Sequence, residues 1–412
     1  MLTEIGKRVK KASVKLAVAS TEDKNRILNA IANALRENCE EIVNANEKDL
    51  ENGRKNGMSE ALLDRLMLNK DRVFAMAQGI EDVISLPDPV GRVLWETERP
   101  NGMKIQRVST PLGVIGIIYE ARPNVTSDAA ALSIKSGNAA ILRGGKEAFN
   151  SNSAIMDIMR DAIENEGFDP DIVELVRDTS RDSATALMRM NEYVDVLIPR
   201  GSAKLINAVV ENSTVPVIET GAGNCHVYVD EFADIDKAVE IVNNAKTRRI
   251  SVCNTAESLL IHKNIAEFAL VAIKAKLDEK NVILYGDEIA LEICPDIEKA
   301  SEEDWATEYL DYKMSVKIVS SVDEAIEHIR KYSTNHSESI VTENSEVAEK
   351  FLNEVDSAAV YHNVSTAFTD GGEFGFGAEI GISTQKLHAR GPLGLPQLNS
   401  FKYKIYGNGQ VR

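Results

Sequence analysis

The strongest constraint on the fold is an alternation that starts at Val114. Short apolar runs, Val114 to Tyr119, Ala139 to Leu142, Ile172 to Val176, Val194 to Ile198, Val215 to Ile218 and His226 to Val229, are separated by stretches of helical periodicity such as Asp128 to Ser136, Ser153 to Glu164 and Ser202 to Glu211. Runs that are apolar throughout suit strands buried on both faces, and strands that alternate with helices imply βαβ units in a mostly parallel sheet. A second series begins at Ile235. Its strands are expected at Ser258 to Ile261, Val282 to Tyr285, Val316 to Val319, Ser339 to Val341 and Ala358 to Tyr361, with helices such as Ala266 to Asp278 and Val322 to Lys331 between them. A chain of 412 residues exceeds what one hydrophobic core comfortably serves. The expected class is α/β, with two doubly wound parallel-sheet domains, a cleft between them and ligands at the carboxyl ends of strands.

The ends of the chain read differently. Up to residue 85 the pattern is helical, with one apolar stripe at Ile5, Val9, Ala12 and Leu16 and another at Ile27, Ile31, Leu35 and Ile42. Ser20 and Asn69 stand where N-caps belong. Val93 to Thr97 and Lys104 to Val108 flank the turn signal Pro100-Asn101-Gly102 and predict a projecting β-hairpin. The tail, Asn399 to Arg412, contains the extended segment Phe401 to Tyr406, suited to pairing with the hairpin or with another subunit.

Lys and Arg number 47 against 64 Asp and Glu, a net charge of −17 that repels nucleic acid and anionic membrane surfaces. Local basic clusters, Arg143 to Lys146 and Arg248-Arg249, still leave room for a small anionic substrate. The four cysteines, Cys39, Cys225, Cys253 and Cys294, show no ligand spacing, so no metal is expected and disulfides are not indicated. Without an apolar leader or a run of about 18 apolar residues, the chain is expected to be cytosolic.

Cys253 lies between Arg248-Arg249 and a strand, in a loop of small polar residues, and a cationic setting of that kind lowers a thiol pKa toward the reactive thiolate. The local residues alone also leave open a buried, inert Cys, the commoner fate of this residue type. Cys225 with His226 invites a dyad, but neighbours in a strand point to opposite faces. Arg143-Gly144-Gly145-Lys146 and Arg200-Gly201-Ser202 each follow a strand and precede a helix, the setting of a backbone phosphate cradle, and each can also be an ordinary tight turn. Glu219, at the end of an expected strand, is either a base that orients water or a turn residue. The glycine-rich Gly371 to Gly377 reads as a mobile loop.

Taken in order, Pro111-Leu112-Gly113-Val114-Ile115-Gly116, Ser136-Gly137-Asn138-Ala139-Ala140, Glu219-Thr220-Gly221 and Cys253 resemble the aldehyde dehydrogenase superfamily. Tyr119-Glu120-Ala121-Arg122-Pro123-Asn124, Leu142 to Ala148, Val252 to Glu257, Tyr361 to Thr366 and His388 to Pro392 are similar to the branch that reduces the acyl phosphate of glutamate. The resemblance implies a nucleotide-binding domain at 1–92 and 109–229, a catalytic domain at 230–375, an oligomerisation element at 93–108 and 397–412, and a return segment at 376–396. It places Cys253 on the nucleophile and Gly201-Ser202, with Arg200, on the turn facing the cofactor diphosphate. Arg143 falls on a ribose-binding position beside Gly144 and Lys146, which favours a 2′-phosphate and hence NADP. Glu308 falls on a carboxylate that contacts the nicotinamide ribose. Glu219 matches the general base of hydrolytic relatives, and Asn124 stands nearest to their oxyanion Asn in a segment that departs from their pattern. Arg122, Arg248, Arg249, Ser365, Thr366 and Arg390 are the groups expected to hold the substrate phosphate and α-carboxylate.

The implied reaction is the NADPH-dependent reduction of L-glutamyl 5-phosphate to L-glutamate 5-semialdehyde and phosphate through a Cys253 thioester, the second step of proline synthesis from glutamate. The alternatives are a hydrolytic semialdehyde dehydrogenase using Glu219 and a silent nucleotide-binding scaffold. A homo-oligomer is expected, dimer or tetramer, together with association with a separate glutamate 5-kinase that supplies the acyl phosphate.

Overall fold

The computed structural model describes residues 2–412, apart from the side chain of residue 61. Five helices come first: α1 (Leu2–Leu16), α2 (Thr21–Glu37), α3 (Cys39–Lys55), α4 (Glu60–Leu66) and α5 (Lys70–Ser85). Val9, Ala12, Leu16, Ile27, Ile31 and Leu35 are buried along the expected stripes. Ser20 caps α2 by accepting the Asp23 N–H at 3.0 Å, and Asn69 caps α5 by accepting that of Arg72 at 2.9 Å. The chain continues through β1 (Val93–Glu98), β2 (Lys104–Pro111), β3 (Val114–Tyr119), α6 (Asn124–Lys135), β4 (Ala139–Arg143), α7 (Phe149–Asn165), β5 (Val173–Leu175), α8 (Arg181–Met188), β6 (Val196–Arg200) and α9 (Ala203–Asn212). Next come β7 (Cys225–Val229), α10 (Ile235–Thr247), β8 (Ala256–His262), α11 (Ala266–Asp278), β9 (Ile283–Gly286), α12 (Glu288–Ile293), β10 (Glu298–Lys299) and β11 (Lys313–Val319). The last elements are α13 (Val322–Tyr332), β12 (Ser337–Val341), α14 (Ser345–Glu354), β13 (Ala359–His362), β14 (Ile382–Ser383), β15 (Gly391–Pro392) and β16 (Asn399–Tyr406).

Contacts divide the chain into two compact units. One comprises residues 1–220, 375–381 and 393–412, the other 221–374 and 382–392. The first contains a parallel sheet in the order β5-β4-β3-β6. The strand expected at Val215 to Ile218 shrinks to a single bridge, Leu197 with Val217, because Pro216 has no N–H to extend the ladder. The hairpin β1-β2 and the tail strand β16 form a separate antiparallel sheet, with Phe401 opposite Ser109 and Tyr406 opposite Lys104.

The second unit holds seven parallel strands in the order β10-β9-β11-β8-β7-β12-β13. The expected boundary after residue 229 is corrected here: β7 pairs with β8 and β12, so it is a central strand of the second sheet. An all-buried strand satisfies its hydrogen bonds in either sheet, and only pairing decides between them. The expected return segment, 376–396, is likewise shared between the units.

Under β8 lies a buried ion pair. Lys246 of α10 donates to Glu257 of β8, both side chains being wholly buried, and the second Glu257 oxygen accepts the Leu310 N–H at 3.1 Å. Burial raises the Glu257 carboxyl and lowers the Lys246 ammonium, each toward its neutral form, and their attraction opposes both. Breaking such a pair strands the surviving charge. Glu257→Gln is expected to cost about 3–5 kcal/mol in urea unfolding, whereas the double change Lys246→Met with Glu257→Leu costs much less; equal losses would show that the pair contributes nothing as a pair.

Candidate active site

Cys253 sits in the turn between α10 and β8, half-buried, while Cys39, Cys225 and Cys294 are buried. Its main chain is held from several sides. Asn254, the next residue, donates its amide to the Ala367 and Thr369 carbonyls at 3.2 and 3.1 Å, and its own carbonyl accepts the Thr366 hydroxyl at 2.7 Å. Thr255 donates to the Arg249 carbonyl at 2.7 Å, which closes the turn on itself. The Cys253 carbonyl accepts the Cys225 thiol at 3.2 Å. Gly223 packs so closely that any Cβ there would collide with the Cys253 carbonyl, so only glycine admits this approach.

Cys225 and His226 do not form a dyad. The Cys225 sulfur faces His336 Nδ1 at 3.7 Å, whereas His226 Nδ1 lies 3.1 Å from Glu338. Burial pushes the Cys225 thiol well up, away from reactivity.

Glu308 joins the Cys253 turn through Gly223, whose N–H donates to its carboxylate at 2.7 Å. Burial raises the Glu308 pKa. Gly223, Cys253 and Glu308 all precede strands, β7, β8 and β11. Gly223, Cys253 and Glu308 therefore collect at the amino edge of the sheet, not at the expected carboxyl edge, because Cys253 is carried by a helix-to-strand turn.

The residues expected to hold substrate are spread out. Arg248 and Arg249 are exposed at the end of α10. Ser365 caps its own short turn by accepting the Ala367 N–H at 3.2 Å, and Thr366, wholly buried, spends its hydroxyl on Asn254, so it anchors the loop. Arg390 is tied to Asp356 through the carboxylate at 2.8 Å and the main-chain carbonyl at 2.6 Å.

In the first unit, β4, β3 and β6 bring three turns to one carboxyl edge. Arg143 ends β4 and donates to the carbonyls of Thr179 and Ser180 at 2.7 and 3.0 Å, while its Nε is buried without a hydrogen-bond partner. Gly144 follows, where a Cβ would strike the buried Asn152 amide. Lys146 is exposed at the start of a short helical turn. Next to β4, β3 ends at Tyr119 opposite Arg200 of β6, and Gly201-Ser202 open α9. Ser202 accepts the Leu205 N–H, the capping geometry of a helix start.

Arg122 is exposed in the turn before α6, and Asn124 begins that helix. The Asn124 amide donates to Asp128 at 2.9 Å, and burial pushes the Asp128 carboxyl up to about 6. Glu219 is half-buried, next to Thr220, which donates to the Pro199 carbonyl at 2.6 Å. Among the described residues no group of His, Cys, Asp or Glu is arranged to hold a metal ion.

Sequence reasoning passed over Glu120, which reaches Ser202, and Gly223, which seats Cys253. A carboxylate directly after an all-apolar strand was the available sign for the first; the second has none, since its partner lies in another loop.

The chain matches the aldehyde dehydrogenase family over residues 3–311. It is 57% identical over 411 residues to a gamma-glutamyl phosphate reductase of Lachnospira eligens, covering 100% of this chain and 99% of that one. A Clostridium perfringens protein of the same name is 59% identical over 408 residues, covering 99% and 98%. The crystal structure of the gamma-glutamyl phosphate reductase of Thermotoga maritima superposes with a TM-score of 0.98 at 50% identity, covering 100% of this chain and 99% of that one. This agreement along the whole length, in sequence and in fold, shows that the chain belongs to the aldehyde dehydrogenase family and, within it, to the gamma-glutamyl phosphate reductases.

Proposed function

We propose that this enzyme reduces L-glutamyl 5-phosphate to L-glutamate 5-semialdehyde with NADPH through a thioester on Cys253. The observation that carries the reading is the nucleophile turn: its main chain is fixed by Asn254, Thr366, Cys225 and Gly223, while Cys253 remains half-buried. A nucleophile held this way loses little orientational freedom on reaction.

The Cys253 thiolate attacks the acyl carbon, the bond to the phosphate oxygen breaks, and phosphate leaves with the electron pair. The nicotinamide cofactor, when bound, supplies the hydride that brings the thioester carbon to the aldehyde level. Cys253 then departs as thiolate, a good leaving group, and regenerates itself. Asn124 is the donor proposed for the oxyanion, with Asp128 holding its amide. Glu219 has no water to activate when phosphate is the partner, so the base role belongs to the hydrolytic alternative.

NADP is favoured over NAD by Arg143 and Lys146. The buried, unpartnered Nε of Arg143 and the exposed ammonium of Lys146 flank Gly144-Gly145, a turn free of Cβ atoms and suited to a 2′-phosphate. Gly201-Ser202 at the start of α9 would take the diphosphate, and Glu308 the nicotinamide ribose. Arg122, Arg249, Arg390 and Ser365 are proposed for the substrate's anionic groups.

The sheet β1-β2-β16 is proposed as the contact between subunits. Trp95 is 48% exposed and Ile405 60%, with Leu94, Phe401 and Tyr403 also exposed beside them, and both sheet edges are open. An acyl phosphate is short-lived in water, so a cytosolic location and association with the kinase that makes it complete the reading. No helix among the described residues is long and apolar enough to cross a membrane.

NADP reduction with glutamate 5-semialdehyde is expected to depend strictly on inorganic phosphate. Equal rates without phosphate would instead point to a hydrolytic dehydrogenase using Glu219. Cys253→Ala is expected to abolish turnover yet retain NADPH binding in a fluorescence titration, and near-normal turnover would sink the thioester. Lys146→Glu should weaken NADPH about tenfold relative to NADH; an unchanged ratio would remove Lys146 from the 2′-phosphate site. Trp95→Glu with Ile405→Glu is expected to yield a smaller species by light scattering, and an unaltered mass would place the subunit contact elsewhere.

A further inference from the structure

The N-terminus of α9 already carries an anion, contributed by its own chain. Glu120 leaves the carboxyl end of β3 next to β6, its N–H donating to the Arg200 carbonyl at 3.2 Å. Its side chain turns toward the start of α9. One carboxylate oxygen accepts the Ser202 N–H at 2.9 Å, and the other accepts the Ser202 hydroxyl at 2.8 Å. Gly201 makes room, because a Cβ there would stand 2.7 Å from the Glu120 carboxylate. A two-point grip of a backbone N–H and a hydroxyl at a helix start is what a phosphate group takes in such a place.

Two features mark this contact as displaceable. Glu120 is exposed, and it forms no ion pair among the described residues, so the Ser202 contacts are what holds its carboxylate. The neighbouring cations, Arg143 and Lys146, belong to a different turn of the same edge.

We propose that Glu120 is a built-in competitor that occupies the cofactor diphosphate position and must swing away when NADPH binds. The proposal rests on the reading of Gly201-Ser202 as the diphosphate turn. Exchange of one anion for another on α9 lowers the net gain of binding and speeds the departure of the spent cofactor. Glu120 thereby tunes cofactor affinity and turnover without touching the reacting atoms.

The test is an NADPH fluorescence titration of the full-length protein and of its Glu120→Gln and Glu120→Ala variants, with a melting curve for each. Both variants are expected to bind NADPH about two- to fivefold more tightly, the range that one exposed helix-terminus charge contributes. Stopped-flow release of NADP should slow by a similar factor. Unchanged affinity with a lowered melting temperature would make Glu120 a helix cap only and overturn the proposal. Weaker binding would overturn it in the other direction, by assigning Glu120 to a cofactor hydroxyl. Failure of the wild-type protein to bind NADPH would remove the cofactor reading itself, an outcome visible before any variant is made.

Discussion

Parallel pairing is the constraint on which the rest of this molecule depends. Parallel strands cannot be joined by tight turns, so each needs a crossover, and here the crossovers are helices that cover the faces of the sheets. The sheet faces are then closed, and chemistry is left to the two edges where chain enters and leaves the strands. In the first unit the carboxyl edge collects Arg143, Glu120 and Arg200 from neighbouring strands. In the second the amino edge collects Gly223, Cys253 and Glu308.

The turn that carries Cys253 shows how much of a candidate site consists of support. The tripeptide around Cys253 is fixed from outside, through the amide and the carbonyl of Asn254. The turn is held by a threonine and two carbonyls from residues 366–369, by a thiol from β7 and by the bare main chain of Gly223. Below it, β8 is fastened to α10 by the Lys246 and Glu257 pair. Burying two charges yields little net stability, but removing either one strands the other beside the turn that carries Cys253. Thr366 illustrates the difference between chemistry and support: a hydroxyl of the right type near Cys253 is already committed to holding its loop.

The carboxyl edge of the first unit's sheet is built from helix starts and turns. Bare helix starts and glycine turns provide backbone N–H groups, which an anion satisfies well. Here the Ser202 N–H is satisfied by the chain itself, through Glu120, and one terminal nitrogen of Arg143 donates to the Thr179 and Ser180 carbonyls. Both arrangements pair polar groups at the carboxyl edge of the first sheet with groups of the same chain.

Periodicity alone determined a good deal. The alternation of apolar runs with helical stretches fixed the α/β class, the stripes at Val9 and Ile27 fixed the buried faces of α1 and α2, and the turn at Pro100-Asn101-Gly102 placed the hairpin. These features are local: burial of a residue is written in the spacing of its neighbours. The small polar setting of Cys253 was legible too, though only as one of two readings until the resemblance was added. The tertiary structure alone decided which sheet β7 joins, that Gly223 seats Cys253, that Thr366 anchors a loop, and that Glu120 caps Ser202. Each of these joins residues from separate loops, and a fully buried apolar strand reads the same in either sheet. Local spacing records whether a group is buried but not which distant group meets it, and that choice is made only when the strands pair.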